Sequence, residues 1–278
     1  MAIIMNGLEL RNKKLALLKE KVTRLNPPIG LVVISVGNDS SSKVYVNNKA
    51  LVAKDLGYTF IHESLKEDIE EEELISIINN YNKSDLIDGI IVQMPMPKHL
   101  NVERIQNAID PYKDVDGLTY VNQGKLLEGV EALTPCTPKG IIDLLDEYKI
   151  ELEGAKVTVI GRSILVGKPL SIMLTNRNAS VSLLHSKTKN IKEYTKNSDI
   201  IVVAVGQKHF LTADMVKDGC IIVDVGITRI DNKIYGDVDF AQVNEKASHI
   251  TPVPKGVGPM TVYELMENTY KARILRRG

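Results

Sequence analysis

Tryptophan is absent from this chain of 278 residues, and phenylalanine occurs three times; neither shortage bears on function. The scarcity of cysteine does. Cys136 and Cys220 stand far apart, with no CxxC pair and no Cys/His cluster, which excludes a disulfide framework and gives no metal site. No charge of one sign is in excess: lysine plus arginine and aspartate plus glutamate number 35 each. No global field therefore favours nucleic acid or a membrane surface as a partner. No apolar run approaches the roughly 18 residues of a membrane span. The N-terminus is charged by residue 11 and lacks a long apolar core, so it does not read as a signal peptide. The expected location is cytoplasmic.

What is present is an ordinary soluble composition, 44% hydrophobic and 25% charged, at a length that suggests two domains. Apolar residues at helical spacing predict a helix over Leu8–Leu25. The apolar run Ile29–Val36 predicts a buried strand that stops at Gly37. A helix follows, capped by Asp39 or a neighbouring serine and ended at Gly57 as a left-handed residue. Further strands are expected at Tyr58–Glu63 and Asp88–Gln93, with helices at Glu67–Tyr81 and Val102–Ala108. Met94-Pro95-Met96-Pro97 can join neither a helix interior nor a sheet ladder, which makes Gln93 the last strand residue. Thr137 and Pro138 fit the cap and first position of a helix over Gly140–Tyr148. A second block then alternates strands at Lys156–Ile160, Ser180–Leu184, Ile200–Val205 and Ile221–Val225 with helices, and a last helix runs from about Val262 to Leu275. Strands alternating with helices predict an α/β fold with parallel sheets. The terminal Arg276 and Arg277 read as solvated charges.

Two stretches carry candidate chemistry. Tyr45 and Lys49 are four apart, so on a helix they share one face, at the C-terminal end of a strand where open α/β sheets bind ligands. A phenol beside an ammonium can serve as an acid/base pair; a solvated lysine next to a half-buried tyrosine accounts for the same two residues. The second stretch is Gly161-Arg162-Ser163-Ile164-Leu165-Val166-Gly167, between a strand and a helix. It is not GxGxxG. Glycine where the strand turns and glycine at the helix start still suit a pyrophosphate on free backbone N–H groups, although a plain strand–turn–helix has the same look. The next strand ends in His185-Ser186-Lys187-Thr188, where an NAD site usually has a carboxylate for the ribose 2′-hydroxyl. With Arg162 nearby, these cationic and hydrogen-bonding groups favour the 2′-phosphate of NADP; a solvated polar turn is the alternative.

Taken together, six segments resemble one family over essentially the whole chain. They are Tyr45-Val46 with Lys49, Gln93–Pro97, Lys113-Asp114-Val115-Asp116-Gly117, Pro135–Gly140, Gly161-Arg162-Ser163 with Val166-Gly167 and Pro169, and Pro252-Val253-Pro254 with Gly256–Thr261. Each is weak alone; in this order they resemble the bifunctional methylenetetrahydrofolate dehydrogenase/methenyltetrahydrofolate cyclohydrolase family.

The resemblance implies oxidation of 5,10-methylenetetrahydrofolate by NADP and hydrolysis of the methenyl product to 10-formyltetrahydrofolate. It implies an N-terminal α/β catalytic domain, residues 1–139 with 262–278, a Rossmann-type NADP-binding domain over 140–261, and a folate cleft between them. A homodimer paired through the cofactor domain is also implied. By the same resemblance Lys49 is the acid/base, Tyr45 stacks on or orients the folate, Gln93 positions Lys49, Asp116 holds the pterin edge, and Pro254 and Gly258 touch the substrate. Cofactor contacts are implied for Gly161, Arg162, Ser163, Val166 and Gly167, for His185, Ser186, Lys187 and Thr188, and for Gly206, Gly226 and Ile227. One departure stands out: the family usually has glycine after Pro254, where this chain has Lys255. Two other readings remain, a shikimate-type NADP dehydrogenase and a non-catalytic nucleotide-binding regulator. The Gln93 and Asp116 segments fit the first poorly, and the second gives no reason for Tyr45, Lys49, Gln93 and Asp116 all to be present.

Overall fold

The computed structural model describes residues 1–231 and 233–277, though not the side chains of Ser40, Ser41, Ser42 and Val44. In chain order the first elements are β1 (Ile3–Ile4), α1 (Gly7–Val22), β2 (Gly30–Val36), α2 (Ser40–Asp55), β3 (Thr59–Leu65), α3 (Glu71–Lys83), β4 (Gly89–Val92), α4 (Val102–Asn107) and α5 (Tyr120–Glu128). There follow α6 (Cys136–Glu147), β5 (Lys156–Ile160), α7 (Gly167–Asn176), β6 (Ser180–Leu184), α8 (Ile191–Lys196), β7 (Ile200–Val203) and β8 (Ile221–Asp224). The chain closes with β9 (Thr228–Ile230), β10 (Lys233–Tyr235), α9 (Phe240–Val243), β11 (His249–Ile250) and α10 (Val257–Arg277). It divides into two compact units, Lys13–Cys136 with Val262–Gly278, and Met1–Asn12 with Thr137–Thr261.

The first unit is built on a parallel three-stranded sheet in the order β3-β2-β4. Every residue of β2 is buried, as a central parallel strand covered on both faces should be, whereas the edge strand β3 has no fully buried residue. Val32, Ile34, Ile90 and Val92 of the sheet pack with Leu74 and Ile78 of α3 into one core. Truncating a buried isoleucine such as Ile34 to alanine costs about 2–5 kcal/mol. The helix ends are closed by named partners. Gly57 takes φ 81°, its N–H donates to Lys54 O at 3.0 Å, and Tyr58 N–H donates to Ala53 O at 2.9 Å. That is the left-handed helix stop that the glycine predicts. Lys113 is fully buried, and its ammonium donates to the carbonyls of Tyr81, Asn82 and Ser84 at 2.9, 2.7 and 2.7 Å, closing the C-terminus of α3.

The second unit carries a parallel six-stranded sheet, ordered β1-β11-β8-β7-β5-β6. A separate antiparallel pair, β9 with β10, stands beside it. Its core joins Ile160, Ile201, Val203, Ile222 and Ile250 from the strands to Val238 and Val243.

Several expectations shift. The N-terminal twelve residues belong with the second unit, because β1 pairs in parallel with β11, Ile3 opposite His249. Residues 137–139 lie in that unit too. Helix α6 starts at Cys136, so Thr137 is not its cap; its hydroxyl instead pairs with that of Thr261 at 3.0 Å. Pro138 is tolerated one residue later, since the first N–H groups of a helix have no intrahelical acceptor. Helix α10 starts five residues before the expected Val262 and includes Pro259 in its first turn for the same reason. Gln93 lies just past β4, although its N–H still donates to Ile34 O at 2.8 Å. The terminal arginines are not merely solvated. Arg277 Nη2 stands 3.0 Å from the fully buried Asp88 carboxylate, and Arg276 Nη1 stands 3.6 Å from it and donates to Ile87 O.

Candidate active site

In the first unit the strand order reverses around β2: the chain passes from β2 to β3 on one side and later to β4 on the other. Ligands of open α/β sheets collect at the carboxyl ends of strands flanking such a switch. Here those ends are Val36-Gly37 and Val92-Gln93. Gly37, at φ 79°, turns the chain out of β2. Asp39 immediately precedes α2, and its carbonyl accepts the Lys43 N–H at 3.3 Å. The serines weighed as alternative caps have side chains outside the described set. Helix α2 brings Lys49 back to the strand ends, where its ammonium donates to Gln93 Oε1 at 2.9 Å. Gln93 is itself oriented, because its Nε2 donates to Met94 O at 2.8 Å and so turns the amide oxygen toward Lys49. Tyr45, one helical turn before Lys49, is 42% exposed and open to a ligand.

The segment Lys113–Gly117 sorts into structural and free carboxylates. Asp114 is fully buried and accepts from Leu118 N–H, Thr119 N–H and Asn122 Nδ2 at 3.1, 2.8 and 2.9 Å, so it is consumed in starting α5. Asp116 is only half-buried. Its neighbour is Cys136, whose thiol donates to Val115 O at 3.4 Å and lies 3.7 Å from Asp116 Oδ1. Burial pushes the Cys136 thiol well up, with the charges of Asp116 and Glu264 adding and that of Lys49 opposing. Asn268 Nδ2 holds the same turn by donating to Val115 O and Thr134 O at 2.9 and 2.8 Å. Lys49, Gln93 and Asp116 thus belong to one unit, and Cys136 and Asn268 are neighbours that sequence reading did not single out as site residues. A cysteine that opens the helix in Pro135–Gly140 was their one available signal.

In the second unit the order reverses around β5, between β6 and β7. The loop after β5 is shaped by close approach. A Cβ on Gly161, at φ 121°, would meet Ala204 O at 2.3 Å, and one on Gly167 would meet Gly161 O at 1.8 Å. Only glycine fits at either place. Ser163 Oγ accepts the Val166 N–H at 3.1 Å, and no side chain caps α7 at Val166. A backbone cradle leading into a helix start matches the needs of a pyrophosphate. After β6, His185 N–H donates to Thr188 Oγ1 at 2.9 Å and Lys187 N–H to His185 Nδ1 at 3.2 Å, forming a tight turn with Ser186 and Lys187 exposed. Arg162 is exposed as well, and neither it nor Lys187 has an acidic partner among the described residues. Gly206, at φ 69°, follows β7. Gly226 and Ile227 follow β8 and share a cavity of about 240 Å³ with Pro254, Lys255 and Gly258. Lys255 adopts φ 83°, a left-handed conformation that explains why a glycine suits this place. Among the described residues no His/Cys/Asp/Glu group could hold a metal ion, and no helix is long and apolar enough to cross a membrane.

Residues 5–116 match the tetrahydrofolate dehydrogenase/cyclohydrolase catalytic domain, and residues 135–277 match the tetrahydrofolate dehydrogenase/cyclohydrolase NAD(P)-binding domain. The bifunctional protein FolD of Streptococcus thermophilus is 48% identical over 279 residues, covering 99% of this chain and 98% of the relative. The bifunctional FolD methylenetetrahydrofolate dehydrogenase/cyclohydrolase structure from Campylobacter jejuni aligns with a TM-score of 0.98 at 43% identity, over 99% of this chain and 100% of that one. The Trypanosoma brucei methylenetetrahydrofolate dehydrogenase-cyclohydrolase, complexed with NADP cofactor and inhibitor, aligns with a TM-score of 0.95 at 31% identity, over 100% and 99%. The chain belongs to the tetrahydrofolate dehydrogenase/cyclohydrolase family.

Proposed function

We infer that this chain oxidises 5,10-methylenetetrahydrofolate with NADP and hydrolyses the resulting 5,10-methenyltetrahydrofolate to 10-formyltetrahydrofolate. The observation that carries the reading is the Lys49–Gln93 hydrogen bond at a sheet switch point, in a chain matching both halves of the family. NADP, when bound, supplies the acceptor for a hydride from the methylene carbon. The chain's own part in that step is placement, so no protein base is required. In hydrolysis, water adds to the methenyl carbon and loses a proton, and a ring nitrogen then departs carrying one. Lys49 is the proton carrier for both transfers, held at its post by Gln93. An ammonium beside a bound cation gives up its proton more readily, and the methenyl substrate is such a cation. Asp116 accepts two hydrogen bonds from the amino-pyrimidinone edge of the pterin. Tyr45 orients the ring system, and Pro254 and Gly258 are substrate contacts.

The glycine cradle of Gly161 and Gly167 fits a pyrophosphate, and Arg162, Ser186 and Lys187 provide the groups for a 2′-phosphate. Val166, His185 and Thr188 complete that side, with Gly206, Gly226 and Ile227 around the nicotinamide. The reading places the protein in cytosolic one-carbon metabolism, supplying purine synthesis, as a homodimer paired through the cofactor domain. It sets aside the shikimate-type and regulatory readings.

The test is absorbance of methenyltetrahydrofolate. Purified protein with 5,10-methylenetetrahydrofolate and NADP is expected to produce it. Methenyltetrahydrofolate supplied alone is expected to be consumed without any cofactor. No change in either assay would remove the proposed activities, and light scattering in solution tests the dimer.

A further inference from the structure

Two aspartates of the second unit are buried without a cation. Asp237 is 0% exposed and Asp224, the last residue of β8, is 3% exposed, and neither has an ion-pair partner among the described residues. Burying a carboxylate is costly unless hydrogen bonds replace its water. Here backbone amides do so. Asp237 Oδ2 accepts from Val205 N–H at 2.7 Å and Gly206 N–H at 3.0 Å, and its Oδ1 accepts from Gln207 N–H at 2.7 Å. Asp224 Oδ1 accepts from Gly226 N–H at 3.1 Å and Asp237 N–H at 2.9 Å, and its Oδ2 from Val238 N–H at 3.0 Å. The two carboxylates are thus linked in series. Asp224 holds the backbone of Asp237, and Asp237 holds the loop after β7.

Space around them is filled to contact. A Cβ on Gly226 would lie 2.0 Å from the Asp237 carboxyl, and one on Gly236 would lie 1.9 Å from Asp224 Oδ2. The N–H of Asp224 is fixed in turn by Thr251 Oγ1 at 2.7 Å, just ahead of Pro252–Pro254. What the pair fixes is the ends of two adjacent parallel strands, β7 and β8, beside the switch point. Gly226 and Ile227 share their cavity with Pro254 and Gly258. If Pro254 and Gly258 face the folate, the cofactor part nearest them must be the ring that takes the hydride.

We propose that Asp237 and Asp224 are positioning residues for the nicotinamide end of NADP: Asp237 fixes the Val205–Gln207 turn, and Asp224 fixes Gly226 and ties the two loops into one rigid wall. The proposal rests on the dehydrogenase reading above. Asparagine is the decisive replacement, since it keeps the shape but turns an NH₂ toward an N–H that had an acceptor. Both carboxylates are spent on backbone N–H groups of these loops.

The test uses the full chain with Asp237→Asn and Asp224→Asn, assayed for both activities. Asp237→Asn is expected to raise the apparent KM for NADP at least tenfold. The KM for methylenetetrahydrofolate, and cofactor-free hydrolysis of methenyltetrahydrofolate, are expected to stay within about twofold. Asp224→Asn is expected to show the same split with a smaller rise. A merely structural role would lower both activities in parallel, and an unchanged KM for NADP would overturn the proposal.

Should the variants not fold, amide hydrogen exchange on the wild-type chain decides the matter. Val205, Gly206 and Gln207 are expected to exchange slowly without NADP. Fast exchange that only NADP slows would mean the cofactor, not Asp237, builds the turn. Wild-type protein that failed to oxidise methylenetetrahydrofolate would remove the functional reading, while the exchange data would still judge the strap.

Discussion

Both sheets set an early strand between its successors. The order β3-β2-β4 does so for β2 in the first unit, and β6-β5-β7 does so for β5 in the second. Each sheet therefore has a switch point, yet the two are furnished differently. At the first, side chains meet: Lys49 Nζ reaches Gln93 Oε1 at 2.9 Å. At the second, backbone meets backbone, with Gly161 and Gly167 so close to Ala204 O and Gly161 O that no Cβ fits. The reason is chemical. A proton has to be carried by a titratable side chain, whereas a phosphate can be held by amides that a turn presents for nothing more than the absence of a Cβ. In the proposed reading one topology thus serves two chemistries, and the residue type at the strand end says which.

The comparison breaks most sharply at Lys49. Lys49→Met keeps the apolar stem and removes the proposed proton carrier, so cyclohydrolase turnover is expected to fall by about 10²–10⁴-fold. Dehydrogenase turnover is expected to fall less, because hydride transfer needs only placement. Parallel assays of the variant check this; hydrolysis near the wild-type rate would leave the side-chain switch point without a proton to carry.

At the backbone-built site the largest expected effect is cofactor choice. Arg162 and Lys187, without acidic partners among the described residues, should favour NADP over NAD by about 1.5–3 kcal/mol, roughly a 10–150-fold difference. Titration of both cofactors measures it, and equal affinity would mean the loop after β6 is only a solvated turn. Gly167→Ala comes next. Its Cβ would stand 1.8 Å from Gly161 O, and overpacking of this kind costs about 1–3 kcal/mol, felt here in NADP affinity more than in folate affinity. Equal losses for both ligands would show that the loop is structural rather than a cradle.

These contrasts also explain what the sequence makes legible. Two strands were readable to the residue, β5 at Lys156–Ile160 and β6 at Ser180–Leu184, whereas the apolar runs at β2, β7 and β8 read one or two residues too long. Lys49 and Gln93 were picked out by their position at strand ends and by the family segments, and the structure brings the two side chains together at 2.9 Å. Helix α5 was not: Gly124 lies in its middle, and its real markers, the Thr119 cap and left-handed Gly129 at φ 70°, look like loop residues. The two-residue β1 has no period to detect, and only its pairing with β11 makes it a strand. Asp237 was equally hidden, since an aspartate beside a glycine reads as a surface turn until three N–H groups are seen converging on it.

Asp224 gives the second unit a pH dependence of its own. Burial, with Asp237's charge adding, pushes Asp224 up to about 7. An unfolded aspartate titrates near 3.9, so between the two values the folded state holds the proton more tightly. This group's contribution to stability is fully present below about pH 4 and is lost as pH rises through about 7. The slope is on the order of 1 kcal/mol per pH unit at most. Asp224→Asn should flatten it, and thermal melts across that range, wild type against variant, would show identical slopes if Asp224 were not the source.

The smallest expected effect is at Lys255, a residue that lines the cavity beside the Gly226 loop. At φ 83° a lysine costs about 1–2 kcal/mol that a glycine would not. Glycine returns part of that advantage, about 0.4–1 kcal/mol, by loosening the unfolded chain. Lys255→Gly should therefore raise stability by no more than about 1.6 kcal/mol, a shift of at most roughly 6 °C in Tm for a chain this size. Strain kept at a ligand cavity usually serves the ligand, and Lys255 lines the same cavity as Gly226, Pro254 and Gly258. The melt is thus expected to rise while the KM for methylenetetrahydrofolate worsens a few-fold. A higher Tm with unchanged kinetics would make Lys255 an unrelieved strain and leave backbone as the sole architect of that cavity. A lower Tm would mean that the lysine stem packs well enough to offset its own dihedral cost.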